Sequence, residues 1–169
     1  MEINNNHIRK YPIGIQSFEN LRREGYLYVD KTALIYRLIT TGKPYFLSRP
    51  RRFGKSLLLS TLKAYFEGKK ELFEGLAIEK LEKQWAVHPV LHLDLNAEKY
   101  DSVERLEMQM NSQLLNWESQ YGCDAKDWTY SIRFMNVIKA AYEQTGQQVV
   151  VLIDEYDKPM LESLHDKEL

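Results

Sequence analysis

Lys55 and Ser56, directly after Gly54, carry the most specific chemistry in the chain. They close the run Arg49-Pro50-Arg51-Arg52-Phe53-Gly54-Lys55-Ser56, which meets every fixed position of the phosphate-loop pattern G-x-x-x-x-G-K-[ST] except the first, where Arg49 replaces glycine. These residue types share one logic. Gly54 lets the backbone approach a phosphate, and a helix N-terminus offers N–H groups and partial positive charge to an anion. Lys55 reaches the β and γ phosphates, and the Ser56 hydroxyl suits magnesium. Loss of the first glycine removes freedom where the loop begins, and Pro50 can stiffen an alternative path. The bland alternative is a Gly-Lys-Ser tripeptide that merely starts a helix after a basic turn.

A second set lies far along the chain. Val149-Val150-Val151-Leu152-Ile153 is an apolar, β-branched run ending in Asp154-Glu155, the form of a Walker B strand. A buried parallel strand delivers its last residues to the carboxyl edge of the sheet, where ligands bind in open α/β folds. There Asp154 would hold magnesium, and Glu155 would orient or deprotonate an attacking water. A strand that simply ends in a polar turn is the competing reading. Asp157 reads as a cap for a following helix with Pro159 in its first turn.

Arg49, Arg51 and Arg52 form the only dense basic cluster. Arg51 and Arg52 admit three readings: charge facing a triphosphate, contact with a nucleic-acid backbone or acidic partner, and solvated loop charge. Asp94 reads as a polar strand end, and His88 and His92 as surface or core histidines rather than a metal pair. Trp85, Trp117 and Trp128 read as core aromatics. Lys plus Arg total 23 and Asp plus Glu 24, so no general pull toward nucleic acid or membrane exists and such a partner needs a local patch. Cys123, the only cysteine, excludes an internal disulfide and fits a reducing compartment as a buried or idle thiol. With no apolar leader and no membrane-length apolar run, a cytoplasmic protein without membrane association is expected.

The elements that must position these groups are legible as patterns. Helices are predicted over 17–24, 31–40 with Asp30 as N-cap and Gly42 as stop, 55–68, 78–85, a long stretch stopped at Gly122 with a capping box from Asp101 and Glu104, and 129–144 before Gly146. Strands are predicted over Tyr45–Ser48, Pro89–Leu95 and Val149–Ile153, the last covered on both faces. The alternation argues for an α/β layer fold with a mainly parallel sheet in a single domain, 1–169.

On these residues the chain resembles the AAA-ATPase-like family of bacterial proteins. The likeness runs through Pro12-Ile13-Gly14-Ile15-Gln16 with Phe18, Tyr28-Val29-Asp30-Lys31-Thr32, Arg49 to Leu57, Pro89 to Leu95, and Leu152 to Asp157. An arginine-rich loop is a hallmark of that family, so Arg49 departs from the general pattern but not from these relatives. The resemblance implies a P-loop ATPase fold using ATP and magnesium. By position it implies nucleotide contacts from Arg51, Arg52, Gly54, Lys55, Ser56 and Leu57, magnesium at Ser56 and Asp154, and Glu155 as the catalytic carboxylate. Longer relatives often carry a C-terminal nuclease-like domain, so DNA or protein partners and an oligomer are compatible expectations. In that class a later strand with a polar sensor residue separates the loop strand from the acidic strand. This chain is therefore expected to be the N-terminal portion of such a domain, with very slow or absent ATP hydrolysis by itself. The rival expectation is a non-hydrolysing module whose basic loop Arg49–Arg52 binds nucleic acid or an acidic protein.

Overall fold

Three helix starts follow hydroxyl caps. In the computed structural model, which describes residues 10–42, 44–48, 50, 52–96, 102–124 and 128–158, Ser17 opens α1 (Phe18–Arg23) by accepting from the Asn20 amide at 3.3 Å. Thr129 does the same for α6 (Tyr130–Thr145), accepting from Ile132 N. Ser102 caps α5 (Val103–Tyr121) by accepting from Arg105 N. The predicted capping role of Asp101 lies outside the described residues. Gly122 and Gly146, both at φ 64°, end α5 and α6 in the left-handed conformation that glycine adopts without cost.

Packing divides the chain into two compact units, residues 1–86 and 87–169. The first unit is helical: α1, α2 (Thr32–Thr40), α3 (Lys55–Phe66), a 3-10 turn (Lys70–Phe73) and α4 (Ala77–Leu81). Its core is aromatic, with Phe18, Tyr65, Phe73 and Trp85 in tilted or edge-on ring contact. Burial pushes the Tyr65 hydroxyl pKa up, and its hydrogen bond to Glu82 pushes the same way. Asp30 ties α2 to α4: Oδ1 accepts from the Thr32 amide and hydroxyl, Oδ2 accepts from Ala77 N at 2.7 Å, and Thr32 Oγ1 accepts from Ile78 N. Lys31 occupies the N-cap position, so Asp30 caps α2 from one residue further out than predicted.

The second unit holds β1 (Val90–Asp94) and β2 (Val150–Asp154), paired in parallel, with α5 and α6 on the connection between them. It is an α/β arrangement with a small parallel sheet. Leu91, Leu93 and Leu95 pack against Leu114, Trp117, Tyr121, Val137 and Ala141 of the two helices. Between the helices, Arg133 forks onto Glu118 with two bonds of 2.7 Å and donates to Asn111. The two side chains are 8% and 3% exposed, so this pair is desolvated.

Several expectations are corrected. Pro44–Ser48 is irregular and exposed rather than a strand, and among the described residues the sheet holds only β1 and β2. Prolines at both ends of that run remove donors a ladder would use. β2 is not covered on both faces, since Val151 and Ile153 remain 39% and 45% exposed. The helices concentrate on β1, whose Leu91 and Leu93 are their register partners. Helix α4 ends at Leu81 rather than Trp85, and Trp128 is exposed while Trp117 is buried. The predicted helix at Asp157 and Pro159 runs beyond the described residues.

Two outcomes test these interactions. Glu118→Ala strands a buried guanidinium and should lower the unfolding free energy by about 3–5 kcal/mol, read by urea denaturation. Burial opposes ionisation of Asp30, but hydrogen bonds from Thr32 and Ala77 outweigh it and hold the carboxyl below its ordinary range. A folded pKa below the unfolded one stabilises above the unfolded value and is lost as pH falls toward the folded one. The stability gap between the wild type and Asp30→Asn should therefore be full near about pH 6 and shrink toward about pH 3, measured by denaturation across pH.

Candidate nucleotide site

Two left-handed residues precede α3. Arg52 sits at φ 66° and Gly54, the N-cap of α3, at φ 75°. A Cβ on Gly54 would meet nothing within 4 Å, so conformation rather than space demands glycine there. Glycine offers no side-chain oxygen to the first-turn amides. The first turn also holds no acidic residue and begins with Lys55, whose charge opposes the helix dipole. A helix N-terminus that opens on a lysine after a glycine cap is a setting suited to an anion. Ser56 follows Lys55 on the first turn. Leu57 turns its side chain toward the aromatic core, which leaves its amide as the group it can present to a ligand.

The body of α3 is held firmly. Ser60 Oγ accepts from Phe18 N at 2.9 Å, and Thr61, Leu62, Ala64 and Tyr65 are buried. Arg22 of α1 donates through Nε to Leu72 O and through Nη2 to Glu74 O. Thus α1 braces the helix whose N-terminus carries the charge. Arg51, and Arg49 before it, lie outside the described residues.

The acidic residues sit in the second unit. Asp94 and Asp154 are register partners at the carboxyl ends of β1 and β2, and neighbouring strands run about 4.8 Å apart. Asp154 is only 6% exposed, and its Oδ1 accepts from Glu155 N at 3.0 Å. Glu155 lies at φ 51°, a left-handed conformation that residues bearing a Cβ rarely adopt. Asp94 is exposed and accepts from Asn96 N at 2.8 Å. Beyond Glu155, Lys158 donates through Nζ to Asn96 O at 3.0 Å. Neither Asn96 nor Lys158 stood out in the sequence, where nothing relates the two residues.

A serine hydroxyl and a carboxylate are each ligand types that magnesium takes. The ion takes hard oxygen ligands, binds through one or two carboxylates with substrate phosphates, and needs no all-protein cage. Ser56 and Asp154 are oxygen donors, and among the described residues no three His, Cys, Asp or Glu side chains gather at metal-binding spacing. Of the predicted nucleotide and metal residues, Arg52, Gly54, Lys55, Ser56 and Leu57 belong to the first unit, and Asp154 and Glu155 to the second.

The remaining candidates find structural roles. His88 Nδ1 hydrogen-bonds with Gln148 O. Cys123 is half-buried, its thiol pKa raised by burial and then by Glu118 and Asp124, and Sγ rests 3.7 Å from Asn136 O. Among the described residues no helix is long and apolar enough to cross a membrane.

A left-handed turn, a lysine-led helix and aspartates ending parallel strands are features of nucleotide-binding α/β proteins. The chain belongs to the predicted AAA-ATPase family, whose model matches residues 12–169. It is also 41% identical over 162 residues to an uncharacterized protein in the vnfD 5' region of Azotobacter chroococcum mcd 1, an alignment that covers 95% of this chain and 31% of that protein. No solved structure matches the chain.

Gly54→Ala isolates the backbone requirement. With open space around the added methyl, it should cost about 1–2 kcal/mol of stability from conformation alone, read by chemical denaturation without ligand.

Proposed function

We propose that the chain is a magnesium-ATP-binding domain of the P-loop type, with the triphosphate at the mouth of α3 and with Ser56 and Asp154 in the role of magnesium ligands. The observation that carries this reading is the glycine-capped start of α3: left-handed Arg52 and Gly54 lead into a helix whose first two residues are Lys55 and Ser56. Lys55 binds phosphate oxygens, and the first-turn amides orient them. The Arg52 guanidinium adds charge beside the triphosphate, as Arg51 does in the same reading. Magnesium, when bound, neutralises charge on the phosphates. Asp154, desolvated at the strand end, holds it directly or through a water. Glu155 orients a water and accepts its proton in any hydrolytic step. The left-handed backbone at Glu155 supports this role, because strain of that kind gathers at functional positions.

A second reading rests on a different observation. Phe53 is 63% exposed beside exposed Arg52, and Tyr45 and Phe46 are exposed just upstream. Aromatics interleaved with arginine suit stacked, single-stranded nucleic acid. In that reading the loop holds nucleic acid, or an acidic protein, without hydrolysis.

Thermal unfolding separates the two. At a concentration about a hundred times its dissociation constant, magnesium-ATP should stabilise the chain by about 2.7 kcal/mol, and Lys55→Ala should abolish the shift. Indifference to ATP, with salt-sensitive DNA binding that is lost in the Arg51→Ala, Arg52→Ala double variant, would establish the second reading instead.

A further inference from the structure

The strand ladder ends at Asp94 and Asp154, yet the segments that follow the two strands stay tied beyond it. Leu95 N donates to Asp154 O at 3.2 Å. Lys158 N closes the turn after β2 by donating to Glu155 O at 3.0 Å, and Lys158 Nζ crosses to the turn after β1 by donating to Asn96 O at 3.0 Å. The Asn96 carbonyl is itself placed by a tight local turn, in which Asp94 Oδ1 accepts from Asn96 N. Left-handed Glu155 lies inside this closed circuit, and its amide donates to Asp154 Oδ1.

A left-handed residue with a Cβ persists only where its surroundings over-determine the backbone. The circuit supplies that determination, and Lys158 closes it twice, once through the main chain and once through the side chain. A surface lysine on a carbonyl adds little to global stability. Its effect here is orientation: loosening Lys158 frees the Glu155 turn and, through the Glu155 amide, the rotation of the Asp154 carboxylate.

We propose that Lys158 is a positioning residue for the acidic pair, its ammonium on the Asn96 carbonyl aiming Asp154 and Glu155 from the end of β2. This role rests on the reading of Asp154 as the magnesium-holding carboxylate. Groups that orient a metal-binding carboxylate typically change metal affinity by roughly 10-fold or more when removed.

Two measurements on the full chain test it. In the first, binding of a fluorescent ATP analogue is titrated with magnesium. Lys158→Met should raise the half-saturating magnesium concentration by roughly 10-fold while leaving magnesium-free nucleotide binding unchanged, and Lys158→Arg, which keeps a donor, should recover most of the loss. In the second, amide exchange without ligand should speed up at Glu155 and at position 158 in Lys158→Met while the β1–β2 ladder stays protected. A wild type with a clear magnesium requirement and a Lys158→Met variant sharing it would overturn the role alone. Unchanged exchange at Glu155, or loss of protection throughout the ladder, would also overturn it. A wild type with no magnesium-dependent nucleotide binding would overturn the proposed function and this role with it.

Discussion

The parallel pairing of β1 with β2 is the constraint on which the second unit depends. Parallel strands cannot be joined by a tight turn, so the chain must leave β1, travel the length of the strand and return. Helices α5 and α6 make that journey and bury Leu91, Leu93 and Leu95 as they do so. Parallel direction also brings both strand ends to one edge, which is why Asp94 and Asp154 stand side by side. An antiparallel pair would have placed those carboxylates at opposite ends of the sheet.

The first unit meets a different demand, the support of a charged helix mouth. A lysine in the first turn and a glycine cap weaken α3 where it begins. The cost is offset along the rest of the helix, where Tyr65 joins Phe18, Phe73 and Trp85, and where Phe18 N and Ser60 Oγ hold α1 against it. Burying side chains of this size contributes about 1.5–3 kcal/mol each. The packed body of α3 thus steadies a first turn that is weak by itself.

Most helices were legible because their signals are local. Ser17, Thr129, Gly122 and Gly146 act on neighbours a few residues away, and the apolar periodicity of α5 and α6 matches their buried faces except at the helix starts, where Val103 and Tyr130 are exposed. Strand β1 and strand β2 were legible as apolar runs, as was the placement of Asp154 at a strand end. What failed depended on partners distant in sequence. Tyr45–Ser48 has strand composition, but a strand exists only where another donates and accepts beside it. Val151 and Ile153 look fully buried by type, yet their cover depends on how far α5 and α6 extend past β1. The links from Lys158 to Asn96 and from Asp30 to Ala77 join residues no pattern relates. At the candidate site, Gly54, Lys55 and Ser56 were readable as a motif, whereas the left-handed backbone of Arg52 and Glu155 was not, because neither residue type favours it.

The Arg133 fork on Glu118 makes the α5–α6 hairpin a keyed joint. Leucine and valine faces tolerate several offsets, since one apolar contact replaces another at little cost. A two-pronged ionic contact sealed from water tolerates one: sliding either helix by a single residue would part both prongs and leave two naked charges in the interior. That keyed hairpin lies on the connection between β1 and β2, whose register sets one aspartate opposite another.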